Sequence, residues 1–211
     1  MDNTTPQSEL LSLQSAAAGD QSSWEGLITP HRDKLKRIIA FRMDMRLQGR
    51  IDPSDVIQET FLEAWQRLPA FVSNPGVPFF VWLRALAQQR LGMLRREHLE
   101  RDKRTVMKEV QIRQDDSSSA IAIAILDHAV SPSEAVQQHE LFLKVQGKLE
   151  EMEPMDREVL ALRHFEQLTN LETANVLGLT EPAASQRYAR ALKRLKTIIS
   201  EIKGLSSGTV S

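Results

Sequence analysis

The sequence contains no cysteine. That excludes disulfide bonds and thiolate-held metal sites. Long apolar runs are missing as well. The longest, "FFVWL" and "AIAIAIL", fall well short of the roughly 20 residues that a bilayer span requires. The opening stretch, "MDNTTPQSEL", is polar and lacks the apolar core of a secretory signal. A soluble, cytoplasmic protein without membrane insertion is expected. Strand-like alternation is nearly absent, and no internal repeat is visible. No histidine stands three residues after a glutamate, so the Glu-x-x-His pairs of di-iron bundles are missing. Asp55, Glu59 and Glu63 do have i, i+4 spacing, yet neither a metal nor a cofactor is expected. Net charge is almost absent too, at −1 over 211 residues, and by itself points to no nucleic acid.

What is present is charge sorted along the chain. Between Pro78 and Arg104 the cations are Arg84, Arg90, Arg95, Arg96, Arg101, Lys103 and Arg104, against Glu97, Glu100 and Asp102. From Glu181 to Lys203 they are Arg187, Arg190, Lys193, Arg194, Lys196 and Lys203, against Glu181 and Glu201. Acids concentrate elsewhere, notably at Asp52, Asp55, Glu59 and Glu63. Two basic segments and one acidic segment suggest two anionic contacts and one partner of another kind.

Apolar residues recur at intervals of three and four, which predicts helices. Start signals agree. Asp52-Pro53 opens a helix with Asp55 in its first turn. Ser131-Pro132-Ser133-Glu134 and Thr169 with Glu172 read as capping boxes, and Thr180 caps a helix beginning at Glu181. Helices are predicted near 8–18, 21–28, 31–47, 53–67, 78–103, 132–150, 155–165, 171–177 and 181–202. The expected fold is all-α. It has two small helical domains, 1–104 and 132–203, joined by a flexible linker at 105–131 and followed by a disordered tail at 204–211. Within the linker "QDDSSS" is polar, whereas "AIAIAIL" alternates like a strand. The latter either packs on one of the domains or docks on a larger partner.

At about 100° per residue, the last helix places Ala184, Tyr188, Ala191, Leu195, Ile198 and Ile202 on a core face. Pro182, Gln186, Ala189, Arg190 and Lys193, flanked by Arg187, Arg194 and Lys196, lie opposite it. Ala174 precedes Gly178 by four residues, as a helix-turn-helix needs for close approach and a positive-φ corner. Such a second helix enters the major groove of DNA. Gln186 can read adenine and Arg190 guanine, while Arg187, Lys193 and Arg194 suit phosphates. This requires the outward cations to stand clear of intramolecular ion pairs. The other reading is a solvated basic helix on a bundle.

The helix of "DPSDVIQETFLEAWQRL" buries Ile57, Thr60, Phe61, Ala64 and Leu68. Its other face carries Asp55, Gln58, Glu59, Leu62, Glu63 and Gln66. That face repels DNA and suits a basic protein partner, unless it is an ordinary solvated surface with one stray leucine.

Four stretches, in order, carry a resemblance: "DPSDVIQETFLEAW", "FFVWLRALAQQRLGMLRREH", "SPSEA" and "EMEPMDREVLALRHFEQLTNLETANVLGLTEPAASQRYARALKRL". The chain resembles the extracytoplasmic-function (ECF) group of the sigma-70 family, the promoter-recognition subunits of bacterial RNA polymerase. The resemblance implies that Asp55, Gln58, Glu59, Leu62, Glu63 and Gln66 bind the clamp helices of the largest core polymerase subunit. It implies −10 recognition by the loop after that helix and by the helix from Pro78. Phe71, Ser73 and Asn74 are then candidates to line a pocket for unstacked bases, and Arg84, Gln88, Arg95 and Arg96 to meet the DNA. Arg90 falls in the core stripe of that helix and is expected to pair with a carboxylate or extend to solvent. Where the family often carries Asn or Asp, this chain has Gln88, Gln89 and Gly92. Pro182, Ser185, Gln186, Arg187, Arg190, Lys193 and Arg194 would read the −35 element. Promoter DNA, core polymerase and a dedicated anti-sigma protein are the implied partners, and no catalytic activity is implied. The alternatives are a stand-alone helix-turn-helix regulator with a helical dimerisation or sensor domain, and a helical adaptor that never touches DNA.

Overall fold

The computed structural model of the chain describes residues 6–43, 47, 49–102, 117–127 and 135–207. The described residues are helices and short connections with no strand, so the fold is all-α. The chain divides into two compact units, Met1–Glu109 and Val110–Ser211. The expected capping box at 131–134, linker residues 105–116 and 128–131, and tail residues 208–211 lie outside the described residues.

The first unit holds α1 (Pro6–Ala17), α2 (Gln21–Ile28), a 3-10 turn (Thr29–His31), α3 (Arg32–Arg42), α4 (Pro53–Ser73) and α5 (Phe79–Asp102). Asp20 caps α2 by accepting from the Ser23 N–H at 3.1 Å. Asp52 caps α4 through the Ser54 N–H at 2.7 Å, with Pro53 in the first turn, where its missing N–H removes nothing. Leu35, Ile38, Ile39, Ile57, Leu68 and Leu83 are fully buried between α3, α4 and α5. Around them Trp24 meets Phe61, Trp65 and Phe79 edge-on, at centroid distances of 6.4, 5.4 and 6.3 Å.

Sequence reading ends α4 near residue 67, before Pro69. The structure carries the helix through Pro69 to Ser73. A proline inside a helix removes a hydrogen bond and costs about 3 kcal/mol. Burial of Phe71 offsets this, since a fully buried Phe contributes roughly 1.5–3 kcal/mol. Its ring also stacks on Trp82 at 4.4 Å and an interplanar angle of 16°.

The second unit holds α6 (Ser117–Asp127), α7 (Ala135–Glu150), α8 (Pro154–Leu160), a π turn (Ala161–Phe165), α9 (Asn170–Leu177) and α10 (Glu181–Ser207). The stretch that alternates like a strand is therefore helical. It places Ser117, Ser118, Ile121 and Ala122 on one buried stripe against α7 and α8. The Ser117 hydroxyl donates to Glu158 on α8. Of the two roles expected for this stretch, packing within the chain is the one observed. α10 likewise runs four residues into the stretch 204–211 expected to be disordered.

Arg157 organises the corner between α7 and α8. Its guanidinium donates to the carbonyls of Leu149, Glu150 and Met152 at 3.3, 3.0 and 2.5 Å. The first two are acceptors that the end of α7 leaves without intrahelical partners, and the third lies in the turn beyond it. Beyond α8 and the π turn, Thr169 and Glu172 form the expected capping box of α9. Gly178 ends α9 at φ +62°, a conformation that costs other L-residues roughly 1–2 kcal/mol. Leu179 N–H then closes on the Ala174 carbonyl at 2.9 Å. The Asn170 side chain ties the two helices together by donating to the Glu181 carbonyl at 2.9 Å.

Candidate nucleic-acid and protein interfaces

The tight corner presents α10 as the second helix of a helix-turn-helix. Ala184, Ala191, Leu195 and Ile198 are buried, as the periodicity predicts. Pro182, Ser185, Gln186, Arg190, Lys193 and Arg194 are exposed together on the other side, with Arg187 half-buried beside them. Arg163 stacks its guanidinium over the Tyr188 ring at 5.2 Å, which steadies the middle of the helix.

The cations do not stand clear of ion pairs, which corrects the sequence expectation. Acids from the α7–α8 corner reach them. Arg187 pairs with Asp156 at 2.8 Å and with Glu153 at 3.2 Å. Arg190 grips Asp156 at two points, 3.1 Å through Nε and 3.2 Å through Nη2. Arg194 lies 3.4 Å from Glu151. Burial pushes the Asp156 carboxyl up, but the hydrogen bonds from Arg190 and Arg187 outweigh this and hold it below its ordinary 3.8. These pairs do not disarm the helix. Arg190 keeps 62% of its side chain exposed despite its pairing with Asp156, and the exposed Glu153 and Glu151 pairs contribute only about 0–1 kcal/mol. Sequence reasoning missed Asp156, Glu153 and Glu151. The signal available was the acidic run "LEEMEPMD" in the same unit as the basic helix.

On α4 the structure gathers Asp55, Gln58, Glu59, Leu62 and Gln66 on one exposed face, with Glu63 half-buried at its edge. Leu62 is 61% exposed. Val56, Ile57, Thr60, Phe61, Ala64 and Leu68 point into the core. Glu63 pairs with Arg67 one turn on, at 2.6 Å. Glu59 pairs with Arg90 of α5, so Arg90 finds the carboxylate expected for it.

The third group of candidates is only partly assembled. Phe71 is on α4, not in a loop, and its ring is buried against Trp82. It is not placed to receive a base. Ser73 ends α4 with its hydroxyl donating to the Pro69 carbonyl at 2.8 Å, and Asn74 follows as an exposed cap. Arg84, placed by periodicity on an outer stripe, is only 7% exposed. The first turns of α5, "FFVWLRALA", are apolar nearly all round, and α5 packs on both α3 and α4; the exposed stripe there runs through Ala85 and Gln89 instead of Arg84. Arg95 is half-buried and Arg96 exposed. Between them and Arg84 lies Gln88, whose buried Nε2 has no hydrogen-bond partner.

No helix among the described residues is long and apolar enough to cross a membrane. Two family descriptions match the chain: Sigma-70 region 2 over residues 27–99 and Sigma-70, region 4 over 149–197. The chain belongs to the sigma-70 family, in its ECF group. It is an RNA polymerase sigma factor, which binds core polymerase and directs initiation at promoters. It is similar to the RNA polymerase sigma factor CnrH of Cupriavidus metallidurans, 27% identical over 87% of this chain and 90% of that one. It also resembles the ECF RNA polymerase sigma factor SigW of Bacillus subtilis, 20% identical over 87% of this chain and 92% of that one. The solved structure of CnrH in complex with the cytosolic domain of CnrY superposes with a TM-score of 0.52 at 23% identity, covering 92% of this chain and 97% of that one. The sigma-70 fold thus accounts for both units. The region 2 match holds the acidic face of α4, and the region 4 match holds α9 and most of α10.

Proposed function

We propose that this sigma factor docks on core polymerase through the exposed face of α4: Asp55, Gln58, Glu59, Leu62, Glu63 and Gln66. An acidic, amide-rich surface centred on an exposed leucine favours a basic, partly apolar partner over a nucleic acid. The −35 element is read by Gln186 and Arg190, with Ser185, Arg187, Lys193 and Arg194 on the flanking phosphates and Pro182 at the helix start. The −10 element is met by Ser73, Asn74, Gln88, Arg95 and Arg96. The chain performs no catalysis and acts in the cytoplasm, where its polymerase is. An anti-sigma protein that covers either face would silence it.

The observation that carries this reading is the opposite charge of two exposed helix faces, acidic on α4 in one unit and basic on α10 in the other. The test is co-purification with core polymerase. Gln58→Arg combined with Leu62→Asp alters two exposed side chains one turn apart. The double variant should lose the polymerase while its melting curve stays that of the wild type. Undiminished co-purification would move the docking site elsewhere.

A further inference from the structure

Asp156 is not a DNA-facing residue, yet both its oxygens are committed to the helix that faces DNA. Oδ1 accepts from Arg187 at 2.8 Å and from Arg190 Nη2 at 3.2 Å, and Oδ2 accepts from Arg190 Nε at 3.1 Å. The carboxylate is 10% exposed, whereas Arg190 is 62% exposed. A buried acid therefore fixes the plane of a largely exposed guanidinium. An arginine carries five N–H donors. Two are held by Asp156, and three remain for another ligand. We propose that Asp156 is a positioning residue for promoter recognition: it presets Arg190, and with it Arg187, in the orientation that reads the −35 element. This rests on the assignment of α10 to that element.

The three acids of the corner differ in kind. Glu153, with 71% of its side chain exposed, and Glu151, with 48%, make ordinary surface pairs that phosphates can displace. Asp156 makes a two-point grip on Arg190 from a buried position. A preset arginine loses less freedom when it binds. Planar, two-point recognition is what discriminates a guanine, so presetting favours the right sequence over any other. Removing the Asp156 charge has two opposed consequences. Arg187 and Arg190, three residues apart on one helix, then repel each other and lose their shared anchor, which weakens specific reading. The same change adds net positive charge, which strengthens attraction to any DNA.

The experiment uses holoenzyme reconstituted from core polymerase and the full chain. A promoter fragment obtained by selection with the wild type competes against the same fragment with its upstream element scrambled. The wild type must prefer the intact fragment. If it does not, the −35 assignment itself fails, and this proposal with it. Given that preference, Asp156→Asn should lower the specificity ratio about tenfold while binding the scrambled fragment more tightly. Glu153→Gln should strengthen binding to both fragments and leave the ratio alone. A ratio unchanged in Asp156→Asn, or equal weakening on both fragments, overturns the proposal: the first leaves only charge, the second only fold. If Asp156→Asn does not fold, Asp156→Glu decides. It keeps the charge and displaces the grip, so an unaltered ratio there is equally fatal.

Discussion

At the scale of single residues, the outcome turns on where a side chain's partner comes from. Core residues of α10 and α4 are legible because helical period alone selects them. Arg84 and Phe71 are not, because their fate is set by what packs around them. A stripe drawn on an isolated helix leaves Arg84 outside, but α5 packs on both α3 and α4 and Arg84 is buried. Asp156 is invisible for a related reason, since its arginines lie 31 and 34 positions away. Its titration gives a residue-level prediction. The folded value lies below the ordinary 3.8, so the pairing stabilises fully above that value and is lost as pH falls through the folded one. The difference in melting temperature between wild type and Asp156→Asn should hold steady from neutrality down to about pH 5, then shrink in acid. A difference that persists undiminished in strong acid would mean that the carboxylate charge is not what stabilises.

At the scale of elements, caps and corners are written locally and are read well. Asp52, Thr169 with Glu172, and Gly178 all act where their neighbours in sequence predict. Two elements escape this. α6 alternates in sequence yet folds as a helix, because alanines favour helix and because α7 and α8 offer a surface to one helical stripe. α4 passes its proline because burial of Phe71 in the next turn offsets much of what the lost hydrogen bond removes. Gly178 makes the local logic testable. At φ +62° with open space around a Cβ, Gly178→Ala should destabilise the second unit by about 1 kcal/mol. Gly178→Asn should do so by less, since asparagine tolerates the left-handed region. All three tryptophans, Trp24, Trp65 and Trp82, lie in the first unit. Urea unfolding followed by circular dichroism should therefore shift where tryptophan fluorescence does not. Equal stability of the two variants and wild type would remove the positive φ as the reason for glycine.

At the scale of the whole molecule, a net charge of −1 conceals an acidic face in one unit and a basic face in the other. Both faces are turned away from their cores, and the ion pairs they make within the chain leave Gln58, Leu62, Gln186 and Lys193 exposed. The proposed function supplies a use for each, one for the enzyme and one for its template. The division into units was legible from composition, but the extent of the connection was not. With α6 packed on α7 and α8, residues 103–116 are what separates it from α5, and they reach at most about 50 Å at full extension. The central claim is that one chain couples polymerase to a two-part DNA site. Run-off transcription by core polymerase on a genomic fragment library, with and without this chain, tests it most directly. The account predicts transcripts with defined starts, present only when the chain is added, each preceded by the same pair of spaced motifs. Transcripts unaffected by the chain, alongside tight duplex binding by the chain alone, would contradict it.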